Sequence, residues 1–308
     1  MYEGRAIFTH LTRTYKMSIT ASMVKELREI TGAGMMECKK ALVETNGNIE
    51  VAIENMRKSG AAKAAKKSGR VAADGIIKVA ASADNKTAVL VEINCETDFV
   101  AKDENFLSFA ETVTQAALDN KATDVEAVMA TEVDGKTLEQ SRTDLVAKIG
   151  ENVQVRRVQL VSSSEGQVGY YSHGKNIGVV VSATGADDEL IKDLAMHIAA
   201  ANPEYVDADQ VPAAQLEKEK EILIAQAQDS GKPAEIIEKM VGGRIRKYLA
   251  EITLKGQPFV KDPDVTVEKL LSSKNADVVE FVRFEVGEGI EKKVDNFVEE
   301  VMAQARGN

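Results

Sequence analysis

The residues best equipped for chemistry lie in one short stretch, Asn94-Cys95-Glu96-Thr97-Asp98-Phe99-Val100-Ala101-Lys102. It holds a thiol, two carboxylates and an aromatic ring. A nucleophilic Cys95 needs a nearby base or cation to lower its pKa, and His173 or His197 would have to supply one. The local neighbours Glu96 and Asp98 are anionic and act the other way, raising a thiol pKa. The plainer reading of Cys95 is a small apolar residue at a strand end. The histidines His10, His173 and His197 form no HExxH and no i, i+4 pair, so no metal site is built on them. There is no GxxxxGK[ST] phosphate loop and no GxSxG elbow. The chain reads as no enzyme, with no catalytic residue, metal or cofactor.

Composition narrows the function further. A formal net charge of −10 argues against strong nucleic-acid binding, which normally shows a basic footprint. There is no Trp and aromatics are 5%, so a base-stacking platform is not indicated either. Two cysteines outside any CxxC pair fit a reducing compartment. No apolar run approaches the roughly 18 residues of a membrane span. Cytoplasmic residence is the resulting expectation.

The elements that must position the stretch follow from periodicity. Residues 18–57 read as three short helices with apolar stripes Met23-Leu27-Ile30, Met35-Cys38-Ala41-Leu42 and Ile49-Ala52-Ile53-Met56. Thr20 is placed to cap the first, and Gly32-Ala33-Gly34 and Asn46-Gly47-Asn48 mark the turns. Residues 58–70, rich in Ala and Lys, read as a solvated, partly helical basic linker; a nucleic-acid tail is the sharper alternative. Residues 1–17 form a basic extension without a secretory h-region. It is either a transit segment or sequence upstream of a start at Met17.

From Val71 the pattern turns to strands, Gly75–Ala80 and Thr87–Ile93, followed by a helix expected from about Thr97 to Asn120. The design recurs: Gly166–Tyr171 and Ile177–Val181 form a second hairpin, and a helix follows Asp187-Asp188. A shift of 90 positions lays Val89-Leu90-Val91 on Val179-Val180-Val181 and Asp98 on Asp188. This is a divergent duplication of a hairpin-plus-helix unit. Helices over 213–228 and 234–250 form an inserted antiparallel hairpin. Strand character returns at Ile252–Leu254 and Phe281–Val286. Ile290, Val294, Phe297, Val298 and Val301 then form the stripe of a terminal helix.

The expected organisation is α+β. The core subdomains are 71–157, then 158–203 with 251–286. The helical hairpin occupies 204–250 and a C-terminal module 287–308.

Thr97 and Asp98 suit a helix cap. Phe99 does not: the 90-position shift sets it against Glu189, so the scaffold accepts a charge there and the ring belongs at the surface. An exposed aromatic beside a carboxylate is a plausible wedge for a partner. Met35 and Met36 are open to two readings, adaptable partner surface or core.

These residues resemble a known family. Thr97-Asp98-Phe99-Val100-Ala101-Lys102, with Asn94-Cys95-Glu96 before it, is similar to the signature of bacterial elongation factor Ts. So are Val24–Arg28 followed by Thr31–Leu42, and Arg283–Gly289. The resemblance runs from Met17 to about Val301 in order and spacing. It implies a ubiquitin-associated-like N-terminal module and a guanine-nucleotide exchange factor for the GTPase elongation factor Tu, with no nucleotide bound by the factor itself. It implies that Thr97, Asp98, Phe99 and Val100 dislodge Mg²⁺ from the partner, that the N-terminal module and terminal helix dock on the GTPase domain, and that the hairpin serves homodimerisation in some members.

Overall fold

The computed structural model describes residues 19–228 and 233–291. The extension and nearly all of the expected terminal helix lie outside the described residues.

Three helices open the chain: α1 (Ala21–Thr31), α2 (Met35–Glu44) and α3 (Ile49–Lys67). Thr20 accepts a hydrogen bond from Met23 N–H and caps α1, and Gly32 ends it in the left-handed region at φ 64°. Leu27, Cys38, Leu42 and Ala52 are fully buried between the three helices. Each such leucine contributes about 1.5–3 kcal/mol relative to an exposed one. The linker expected over residues 58–70 is a correction: α3 runs unbroken to Lys67. Its alanines are strong helix formers, and Gly60 and Ala64 are buried. Its cations are largely committed, Lys58 to Glu54, Lys63 to Glu37 and Lys67 to the carbonyl of Gly150.

The core continues with β1 (Asp74–Ala81), β2 (Thr87–Cys95), α4 (Glu104–Asp119), α5 (Val125–Ala130), β3 (Glu132–Val133), β4 (Lys136–Thr137), α6 (Leu138–Ile149) and β5 (Gln154–Ser162). A second run follows: β6 (Gln167–His173), β7 (Ile177–Thr184), α7 (Asp188–Ala201), α8 (Ala213–Gln228), α9 (Ala234–Ile252), β8 (Pro258–Phe259), β9 (Asp262–Thr266), α10 (Val267–Lys274) and β10 (Asp277–Glu285). The sheets have orders β1-β2-β5 and β10-β7-β6, all antiparallel. The duplication is therefore longer than a hairpin plus helix, since each copy closes with a third strand on its central one. β5 crosses position 157/158, so the boundary drawn there falls inside a strand. The strand expected at Ile252–Leu254 is a single bridge, Tyr205 to Thr253, at the end of α9.

The sheets pack face to face. Ala88 and Leu90 of β2 meet Val180 of β7 and Phe284 of β10. On the outer faces, Val89, Val91, Ile93 and Cys95 pack on Phe106, Phe109 and Ala110 of α4, and Val179, Val181 and Ala183 on Leu190, Leu194 and Ile198 of α7. Burial on both faces explains why β2 and β7 are continuous apolar runs, not alternating ones. In the α8–α9 hairpin, Leu223, Ala227 and Val241 form a small core.

Candidate functional site

Glu96–Phe99 form a turn between the end of β2 and a short 3₁₀ helix, Val100–Lys102, and are not the first turn of α4. Helix α4 begins at Glu104, and its cap is Asp103, whose carboxylate accepts from Asn105 and Phe106 N–H at 2.8 and 3.3 Å. This corrects the expectation that Thr97 or Asp98 caps α4, although Thr97 Oγ1 does accept from Val100 N–H at 3.4 Å beside the short 3₁₀ turn. It also corrects the duplicate alignment. In the second copy the cap is Asp187, with only Gly185 and Ala186 between it and β7. In the first copy Glu96–Lys102 lie between β2 and Asp103. The segment carrying Phe99 is an insertion with no counterpart, so Glu189 never stood opposite Phe99. The expectation that the ring is at the surface survives on other grounds: Phe99 is 80% exposed.

A reciprocal pair of carboxylates holds the turn. Glu151 accepts from the N–H of Glu96 and of Thr97, both at 3.1 Å, and from the Thr97 hydroxyl at 2.8 Å. Glu96 in turn accepts from Asn152 N–H at 2.6 Å and pairs with Arg70 at 3.4 Å. Asn152 is buried and donates to the carbonyl of Arg70 at 2.8 Å. Val100 and Ala101 fold inward as a short 3₁₀ turn on the core. Phe99 is thus presented by a backbone pinned on both sides. Asp98 is exposed and pairs with Lys102 at 2.7 Å; that hydrogen bond, with a weaker pull from Lys175, holds its carboxyl below the usual range.

The thiol is inert. Burial, reinforced by the carboxylates of Glu151 and Asp74, pushes Cys95 up to about 12, and its Sγ donates to the carbonyl of Thr97 at 3.2 Å. His197 is buried and occupied at both nitrogens, by Gln257 at 2.9 Å and by Val260 N–H at 3.1 Å. His173 is exposed beside Tyr171. No Cys–His pair forms among the described residues. They hold no cluster of three or more metal-ligating side chains and no helix long and apolar enough to cross a membrane.

Met35 and Met36 are 61% and 75% exposed, so neither is core. Sequence reasoning missed Glu151 and Asn152. They sit in a polar connection between α6 and β5, where no periodicity points to them.

Together these features define a duplicated α+β protein with a helical N-terminal module and one clamped, aromatic-tipped insertion. Comparison with known proteins names the group. The family model described as elongation factor TS matches residues 96–288. The chain is 64% identical to elongation factor Ts of Thioalkalivibrio sulfidiphilus over 292 residues, 94% of this chain and all of that protein. It is 61% identical to that of Methylococcus capsulatus over 293 residues, 95% and 100% of the two chains. The chain belongs to the elongation factor Ts family, the exchange factors of translation elongation.

Proposed function

We propose that the protein promotes GDP release from the GTPase elongation factor Tu, and that the Thr97-Asp98-Phe99-Val100 turn does so by displacing the Mg²⁺ coordination of the nucleotide site. The observation that carries this is Phe99, exposed on a turn whose backbone is pinned by Glu151 and Glu96. An aromatic anchor held in its binding conformation enters a groove without a further ordering cost. Mg²⁺ bridges the nucleotide phosphates and the phosphate-loop hydroxyl, so disturbing it weakens nucleotide binding with no covalent step. Linkage makes the effect reciprocal: whatever factor the protein takes from GDP affinity, GDP takes from affinity for the protein. Asp98, ionised beside Lys102, brings negative charge to the same point.

Met35 and Met36 supply a second, adaptable apolar contact. Ile222 and Ile236, exposed on the α8–α9 hairpin, favour self-association there. The protein acts on its partner without binding nucleotide or nucleic acid itself, and works in the cytoplasm.

The test is release of labelled GDP from the GTPase in the presence of wild type and Phe99→Ala. The expected result is strong stimulation by wild type and its loss in the variant at unchanged thermal stability. Equal stimulation by both would overturn the wedge assignment.

A further inference from the structure

β5 carries a bulge. Its register with β2 passes from Glu92↔Arg157 to Ile93↔Val155, leaving Arg156 as the extra residue. A bulge turns neighbouring side chains that would alternate toward one side, and here both arginines reach Glu92. That carboxylate is fully buried between the sheets. It accepts from Arg156 Nη1 at 3.1 Å with both oxygens, from Arg157 Nε, from Asn94 at 3.0 Å and from the N–H of Gly287 at 2.8 Å. Burial opposes its charge, but the Gly287 N–H, Asn94 and Arg157 hold its carboxyl below the usual range.

The arginines then grip the chain that follows β10. Arg157 lies over the Phe284 ring at 4.1 Å and donates to the Glu285 carbonyl at 3.0 Å and to Glu288 at 3.1 Å. Arg156 donates to the Glu288 carbonyl at 2.6 Å. Gly287, at φ 71°, runs so close to Ala73 that a Cβ would sit 2.3 Å from its carbonyl oxygen. Asp74, the next residue, is opposite Cys95 at the base of the Phe99 turn.

The duplicate is an internal control. β10 has the same bulge: Ser182↔Glu280 passes to Ala183↔Val278, with Val279 extra. The position of Glu92 is taken by Ser182, buried with no hydrogen-bond partner for its hydroxyl among the described residues. Val279 is exposed. The same bulge therefore stands without an ionic cluster, so the fold does not require one. What is particular to the first copy is the segment it holds.

We propose that Glu92, Arg156 and Arg157 are positioning residues that fix the exit Gly287–Glu291 against the strand bearing the Phe99 turn, so that both meet the partner as one preformed surface. This rests on the exchange reading above. The exit matters because the sequence beyond it continues the apolar stripe that starts at Ile290.

The test replaces the cluster in the full chain, Glu92→Met with Arg156→Met and Arg157→Met. Apolar replacement of a whole buried ion cluster commonly preserves stability, so the melting temperature is expected within about 5 °C of wild type. Amide exchange at Gly287–Glu291 is expected to quicken, and the protein concentration for half-maximal GDP release to rise, each about tenfold, a change of the size of typical coupling effects. The maximal rate should stay near wild type. Should the triple variant not fold, Arg157→Lys, which keeps charge but loses the fork, should show both shifts in weaker form. Unchanged amide protection in a folded variant overturns the proposal, as does unchanged half-saturation with a wild type that is active. The amide readout needs no GTPase, so an inactive wild type would sink the exchange reading while the lock is still judged.

Discussion

The carboxylate of Glu151 stands 2.8 Å from the hydroxyl of Thr97 and also accepts both N–H groups that open the Phe99 turn. One side chain from the α6–β5 connection thereby sets the conformation of an insertion 54 residues earlier. Nothing in Glu96–Lys102 alone dictates that shape. It is imposed by a partner that the fold brings alongside.

Glu151→Ala should loosen the turn, because it removes the acceptor of the Glu96 and Thr97 N–H groups and of the Thr97 hydroxyl. Loss of charge-assisted bonds costs about 1.5–3 kcal/mol. The loss should appear as a lower urea midpoint. Stimulation of GDP release should fall with it even where the chain is fully folded. A variant that releases GDP as fast as wild type would show that the clamp does not prepare Phe99.

The Cys95 thiol, pushed up to about 12, should resist alkylation. At pH 8 its thiolate fraction is about 10³-fold below that of an ordinary thiol. In a Cys38→Ser background, iodoacetamide should label the native chain slowly and the urea-unfolded chain readily. Fast native labelling at pH 8 would contradict the burial described here and reopen thiol chemistry.

Much of the architecture was legible because local chemistry decides it. Thr20 and Gly32 bound α1, the apolar runs mark β2 and β7, and Pro233 stands just before α9. The misreadings have specific causes. β5 has no clear strand pattern in the sequence because Arg156 and Arg157 interrupt its alternation, and the bulge at Arg156 is the reason. The start of α4 was placed early because Thr97 and Asp98 are good cap residues. Asp103 is also one, and an insertion is invisible when a single offset is assumed for both copies. The basic run 58–70 has the composition of a linker, but Lys63 and Lys67 find partners far off in sequence, at Glu37 and Gly150. For the candidate site, the exposed Phe99 was foreseen and its clamp was not, since Glu151 is named only by tertiary contact.

Gly178→Ala tests the face-to-face packing. A Cβ at Gly178 would come 2.5 Å from Ile77 Cγ2 and 2.8 Å from Leu90 Cδ1, atoms of the opposite sheet. Overpacking of this kind costs about 1–3 kcal/mol. Chemical denaturation should show that loss, whereas Gly174→Ala, where no atom lies within 4 Å, should carry only the cost of its left-handed backbone, about 1 kcal/mol. Equal losses at the two positions would mean that the sheets do not approach as described.

His197 should make stability depend on pH. Its Nδ1 accepts from Val260 N–H, so the proton sits on Nε2 and is donated to Gln257. Burial lowers its pKa from 6.5, and the Gln257 bond opposes this only in part. Above pH 6.5 neither the folded nor the unfolded chain protonates this ring, and the contribution is complete. As pH falls through 6.5 the unfolded chain takes up a proton that the folded chain refuses, so unfolding becomes easier. The loss levels off once the pH is below the folded pKa. Its slope is at most about 1.4 kcal/mol per pH unit for one proton. Urea midpoints should therefore drop between pH 7.5 and 5.5. In His197→Gln they should start lower, because Val260 N–H loses its acceptor, and then fall less over the same range. An unchanged slope in His197→Gln would remove the buried ring as the cause.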